Sequence, residues 1–164
     1  MDVGGGSGEF LRPLLDRFEN VSAVLFDLPL VVDHAKTLFA DKYKSRVQFE
    51  AGSFFEKVPE GDCFNLRFIL HDWNDQKAEI IAKKVAEAMR KSGKDSKLTI
   101  VEILLEDGDS MPFKFHVDMV MAILVNGKER TKAQFAALLD KAGLKIDRVI
   151  PTPSPFSIIE ASLK

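Results

Sequence analysis

The stretch DVGGGSGEFLRPLLDRFENVSAVLFDLP, residues 2–29, decides the fold. Its glycine-rich loop is followed by Phe10, Leu14, Leu15 and Phe18 at helix spacing over 10–18, and then by VSAVLFD at 21–27, which reads as a short buried strand ending in Asp27. Glycines permit a tight turn and close approach of a ligand, and the helix that follows offers unpaired N–H groups to a polar or anionic group. An acid at the tip of the second strand can accept hydrogen bonds from vicinal ribose hydroxyls. Gly4, Gly6 and Asp27 together therefore point to an adenosine-containing cofactor. The glycines run Gly4-x-Gly6-x-Gly8 rather than G-x-G-x-x-G, and no Lys-Ser or Lys-Thr closes the loop, which disfavours NAD and nucleoside triphosphates.

Working outward, strands are predicted at 62–70, 97–105, 144–150 and 156–163, with helices at 30–39, 76–91, about 115–124 and about 132–142. Strand and helix alternate for most of the chain, so the expected fold is α/β, Rossmann-like, with a mainly parallel sheet covered by helices on both faces. The turn-rich PTPSP at 151–155 separates the last two strands and predicts a C-terminal antiparallel hairpin. Only residues 1–3 precede the glycines, so the first strand reads as truncated. The chain has 164 residues, 46% of them hydrophobic, as expected for one domain spanning 1–164.

Twenty-five acidic residues against 23 Lys plus Arg give a net charge of -2, which provides no field for gathering nucleic acid or anionic lipid. The single cysteine, Cys63, excludes an intramolecular disulfide and a multi-cysteine zinc site. No run approaches the ~18 apolar residues of a membrane span, and the N-terminus lacks a basic segment followed by an apolar one. The expectation is a soluble, cytoplasmic protein with neither nucleic-acid nor membrane partners.

A second polar cluster, RFILHDWND at 67–75, follows the strand predicted at 62–70 and precedes the strongest helix. In a parallel sheet the C-terminal strand ends face the ligand crevice, which places His71 beside a cofactor held at residues 4–8. Imidazole is suited to taking a proton from a hydroxyl near neutral pH, and an acid can fix its tautomer; Asp72, Glu102 and Glu129 are the candidates. His34, His71 and His116 fall in no close ligand spacing, so no intrinsic metal is expected. Ser7 lies in a ligand loop rather than in G-x-S-x-G, which leaves covalent serine catalysis without support.

Taken in order, DVGGGSG at 2–8, FDLP at 26–29, AGSFFEKVPEGD at 51–62, LRFILHDWND at 66–75, IVE at 100–102 and NGKERT at 126–131 resemble the catalytic domain of the plant-type small-molecule O-methyltransferases, the caffeate, flavonoid and hydroxyindole enzymes. The resemblance implies S-adenosyl-L-methionine as cofactor, with Gly4 and Gly6 around its methionyl and sugar portions and Asp27 on the ribose. It implies His71 as general base, held by Glu102 and Glu129, and a small phenolic or related hydroxylated acceptor, with Asp72 and Met121 on the acceptor side. Arg67 stands where the family has a lysine near the cofactor carboxylate, and Ser53 where many relatives have an acid near the adenine, with Phe54 beside it. Family members carry a further N-terminal, mostly helical region that supports dimerisation and completes the acceptor pocket. The present sequence starts within the first cofactor motif, so the expectation is a catalytic domain without that region, its family-style homodimer left open. The alternative is an inactive cofactor-binding or interaction fragment of such an enzyme.

Overall fold

Leu25 and Phe26 are sequence neighbours with different surroundings, because successive side chains on a strand point to opposite faces of the sheet. Leu25 joins an apolar cluster with Leu11, Leu15, Val32, Ala35 and Phe39, while Phe26 joins a larger one with Phe64, Leu66, Ile81, Val85 and Ile100. Both faces of the sheet are thus covered by helices, the arrangement that a parallel sheet requires. The computed structural model describes residues 1–39, 41–43, 45–93, 95–106 and 111–164.

The elements in chain order are β1 (Asp2–Val3), α1 (Leu11–Arg17), β2 (Ala23–Asp27), α2 (Pro29–Leu38), β3 (Val47–Ala51), β4 (Cys63–Arg67), α3 (Asp75–Ser92), β5 (Lys97–Leu105), α4 (Pro112–Val125), β6 (Arg130–Thr131), α5 (Lys132–Lys141), β7 (Leu144–Pro151) and β8 (Phe156–Leu163). The sheet order is β3-β2-β1-β4-β5-β8-β7, with β6 pairing beside the end of β5. Strands β1 to β5 are parallel, whereas β8 runs antiparallel to β5 and β7 antiparallel to β8. This is the expected α/β sheet with its terminal hairpin. Two residues long, β1 still pairs with both β2 and β4, at the point where strand order reverses.

Local sequence accounts for the helix starts. Asn74 Oδ1 accepts from Lys77 N at 3.1 Å at the start of α3, and Thr131 and Gln134 form a reciprocal capping box at the start of α5. Pro29 and Pro112 occupy first-turn positions, where a missing N–H costs nothing. α3 buries Ala78, Ile81, Ala82, Val85, Ala86, Ala88 and Met89, whereas α4 has no buried residue and leaves Phe113, Phe115, Met119, Ile123 and Leu124 exposed.

Two strands escape the sequence reading, and one is shorter than expected. β3 alternates buried Val47 with exposed Gln48 and Glu50 at the sheet edge, and β6 has only two residues. The strand expected over 62–70 ends at Arg67. Phe68 turns into the left-handed region at φ 56°, and residues 70–72 form a 3-10 turn instead.

Ile100 is fully buried on β5 in the middle of the sheet. Ile100→Ala is expected to destabilise the chain by ~2–5 kcal/mol in urea unfolding. Ile123→Ala, on the exposed face of α4, is expected to change it by less than ~0.5 kcal/mol.

Candidate active site

The glycine loop and the tip of β2 are tied together by Asp27. Its Oδ2 accepts from Gly6 N at 2.9 Å and its Oδ1 from Leu28 N at 2.7 Å, while Gly4 N donates to the Phe26 carbonyl at 2.8 Å. Each carboxylate oxygen retains a lone pair for a further donor. Gly6 has φ 54°, and a Cβ built there would meet nothing within 4 Å, so the backbone faces open space that a ligand can enter.

Two cavities flank this junction. One, of about 160 Å³, is lined by Asp2, Gly4, Gly5, Gly6, Ser7, Glu9, Phe10 and Arg67. The other, of about 210 Å³, is lined by Asp27, Leu28, Gly52, Ser53, Phe54, Phe55 and Trp73. The second is aromatic: Phe54 and Phe55 lie edge-on at 4.9 Å between centroids, and Trp73 meets Phe55 at 4.9 Å and Phe54 at 6.2 Å. Ser53 Oγ accepts from Phe55 N at 3.3 Å and stands at the wall of that cavity. In the first cavity Arg67 lies 4.5 Å over the Phe68 ring, and Asp2 is held by Asn65 Nδ2 at 2.8 Å. Burial pushes the Asp2 carboxyl up against the opposing effect of that hydrogen bond. One cavity therefore suits a flat aromatic base and the other a charged polar chain, and Asp27 lines the aromatic one while bonding Gly6 in the wall of the other.

His71 sits on the 3-10 turn after β4. Its Nδ1 is 2.8 Å from Glu129 Oε1, and since a carboxylate only accepts, Nδ1 carries the proton and Nε2 holds the free lone pair. Nε2 lies 3.5 Å from Oδ1 of Asp72, whose side chain is partly exposed, whereas Glu102 and Glu129 on the Nδ1 side are buried. Glu102 plays a different part from Glu129. From the core of β5 its Oε1 accepts from the backbone N–H groups of Ile69, Leu70 and His71 at 3.1, 2.9 and 3.4 Å, while Oε2 is 3.6 Å from Nδ1. Of the three candidate orienters, Glu129 bonds the ring, Glu102 holds its backbone, and Asp72 faces the side left open.

Burial of His71 works against protonation, but the Glu129 hydrogen bond and the charges of Glu102, Glu129 and Asp72 outweigh it, leaving the imidazole above its usual 6.5. Burial pushes Glu102 up to about 7, opposed by the His71 charge and reinforced by that of Glu129. Oε2 of both glutamates is buried without a hydrogen-bond partner. His71, Glu102 and Glu129 could offer converging cation ligands, their atoms all lying within 4.8 Å of one another. The 2.8 Å ring-to-carboxylate hydrogen bond and the three N–H groups on Glu102 hold these three side chains together.

Met121 lies on α4, partly buried, and its carbonyl accepts from Gly127 N at 3.1 Å, which connects α4 to the loop that carries Glu129. That loop is seated by contacts that the sequence reading missed. Asp118 accepts from Glu129 N at 2.8 Å, and Gly127 packs so tightly that a Cβ there would lie 2.0 Å from the His71 carbonyl oxygen. Phe55 and Trp73 were also missed as cavity walls, although their neighbours Phe54 and Asp72 were singled out. An aromatic directly beside each was the available signal.

A family model described as O-methyltransferase domain matches residues 1–145. The mitomycin biosynthesis 6-O-methyltransferase of Streptomyces lavendulae is 34% identical over 163 residues, covering 98% of this chain and 46% of that protein. The cephaeline 6'-O-methyltransferase of Carapichea ipecacuanha is 33% identical over 164 residues, covering 98% and 45%. Among solved structures, the O-methyltransferase NcsB1 from neocarzinostatin biosynthesis, in complex with S-adenosylmethionine and 2-hydroxy-5-methyl naphthoic acid, superposes with a TM-score of 0.88 at 33% identity, over 99% of this chain and 48% of that one. The chain thus spans just under half the length of the relatives it matches. Bacterial and plant proteins match equally well, so the similarity is broader than the plant-type group alone.

The site sets the sign of a pH dependence. Between pH 4.5 and about 7 the folded chain keeps a proton on Glu102 that the unfolded chain releases, so stability falls as pH rises through that window. The raised His71 adds in the same direction above 6.5, since its contribution is lost as pH climbs through the folded value. Glu102→Gln removes the first contribution and keeps an acceptor oxygen. Its urea midpoint is expected to change less between pH 5.5 and 8 than that of the parent chain, and an equal change would refute the assignment.

Proposed function

The chain belongs to the O-methyltransferase domain family, and from that premise we propose that it methylates a hydroxyl of a small, phenolic acceptor. The observation that carries this reading is the hydrogen bond of His71 Nδ1 to Glu129, which leaves the Nε2 lone pair free two residues from Trp73, a wall of the aromatic cavity that Asp27 also lines. The phenolic acceptor is the class shared with the plant-type enzymes, and the naphthoic acid bound to NcsB1 carries such a hydroxyl.

The residues present fit S-adenosyl-L-methionine. Asp27 has one free lone pair on each oxygen for the ribose hydroxyls, the aromatic cavity of Phe54, Phe55 and Trp73 suits adenine, and Ser53 at its wall can hydrogen-bond. Gly6 leaves the loop backbone open to the methionyl portion, Gly4 packs on Ile69 in the wall of the same cavity, and Arg67 would meet the methionyl carboxylate. Bound there, the cofactor supplies a methyl group activated by a sulfonium. Nε2 of His71 takes the acceptor proton, and Glu129 stabilises the imidazolium that results. Glu102 holds the turn so that the ring keeps its place, which converts a collision into a positioned encounter. Asp72 and Met121 contribute to the acceptor side, where the exposed apolar residues of α4 add surface for an aromatic ring.

Calorimetric titration with S-adenosylhomocysteine is expected to show saturable binding. Asp27→Ala is expected to weaken it by tenfold or more, as about 1.5–3 kcal/mol of charged hydrogen bonding is removed. His71→Ala is expected to bind like the parent, while methyl transfer to a panel of phenols falls by ~10²–10⁴. Equal transfer rates with and without the imidazole would refute the general-base assignment.

A further inference from the structure

Arg130 takes no part in the steps above, yet it is the largest wholly buried side chain among the described residues. Its guanidinium reaches in three directions. Nε donates to Asp75 Oδ1 at 3.0 Å, Nη1 to the Leu70 carbonyl at 2.8 Å and Nη2 to the Trp73 carbonyl at 2.8 Å. Leu70 and Trp73 bracket His71 and Asp72. Between them, the His71 carbonyl is taken by Lys128 N at 2.9 Å. The turn is therefore clamped from both sides, its N–H groups by Glu102 and its carbonyls by residues 128–130.

The residue between these two clamping positions is Glu129, the partner of the ring itself. A side chain that locks residues 70 and 73 to the segment carrying Glu129 fixes the distance between imidazole and carboxylate. A buried cation is poorly suited to mere filling, since an apolar side chain of similar volume packs a core without the desolvation cost. The planar fork, with donors fixed in three directions, is a shape that lysine lacks. We propose that Arg130 is a positioning residue, holding the 70–73 turn against the Glu129 segment so that His71 Nδ1 meets the carboxylate and Nε2 stays open. The proposal rests on the reading of His71 as the base.

Its test needs neither cofactor nor acceptor, so a failure of methyl transfer and a failure of this proposal are separable. Two-bond ¹H–¹⁵N spectra of the labelled chain report the tautomer and titration midpoint of His34, His71 and His116 individually. The acids facing the His71 ring are Glu102, Glu129 and Asp72. Removing a nearby cation by itself raises a histidine midpoint, whereas losing the fit to Glu129 lowers it, so the sign separates charge from position. Arg130→Met and the charge-conserving Arg130→Lys are expected to lower the His71 midpoint by ~0.5–1 unit and to mix its tautomers, with His34 and His116 unmoved. A folded variant whose His71 midpoint is unchanged or raised overturns the proposal. If neither Arg130 variant folds, Asp75→Asn, which removes the carboxylate steering Nε, takes their place. Because losing an anion lowers a histidine midpoint by charge alone, the tautomer is the readout in that variant: mixed His71 tautomers support the proposal, and a ring still protonated on Nδ1 alone overturns it.

Discussion

A carboxyl group with no solvent exposure, set in the middle of an apolar strand, holds its proton more tightly and needs donors for the charge it does carry. Glu102 finds three backbone N–H groups in a row, and the geometry of the site follows from that choice. Those N–H groups belong to residues that would otherwise prolong β4. Their capture turns the chain after Arg67, through the left-handed Phe68, into the short turn that presents His71 at the C-terminal edge of the sheet. The same edge carries the glycine loop and Asp27, so His71 and the two cavities lie at one end of the sheet by construction of the fold.

Electrostatics and packing are coupled here rather than separate. Three acidic groups approach one imidazole, two of them almost wholly buried, and the site accommodates them by raising the proton affinity of Glu102 and His71 and by filling its surroundings with oriented donors. Arg130 and Gly127 extend this logic into the loop after α4, one by the reach of its donors and the other by having no side chain to keep the loop off the His71 carbonyl. These contacts explain how the chain holds His71, Glu102 and Glu129 together.

Much of this was legible in the sequence. The alternation of apolar strands with amphipathic helices showed the parallel sheet, and 97–105 and 156–163 match β5 and β8 residue for residue because both are apolar-rich runs with clear ends. Glu102 was conspicuous as a charge within KLTIVEILL, and His71 as an imidazole just past a strand. The end of β4 was not legible: Phe68, Ile69 and Leu70 continue an apolar run, and what stops the strand is a carboxylate 32 residues from Leu70. Arg130 was hidden for the opposite reason. In NGKERT it reads as one more solvated charge, and only the fold brings the carbonyls of Leu70 and Trp73 to it. β3 was missed because its charged alternation at the sheet edge resembles a loop.

If Asp27 holds an adenosyl cofactor beside the free edge of His71, the two must meet in one bound complex. A crystal structure of this chain grown with S-adenosylhomocysteine tests it most directly. Both ribose hydroxyls are expected on the Asp27 carboxylate, the adenine among Phe54, Phe55 and Trp73, and the sulfur on the side that faces Nε2. Nucleoside density elsewhere, or a ribose that leaves Asp27 bonded only to Gly6 and Leu28, would contradict it.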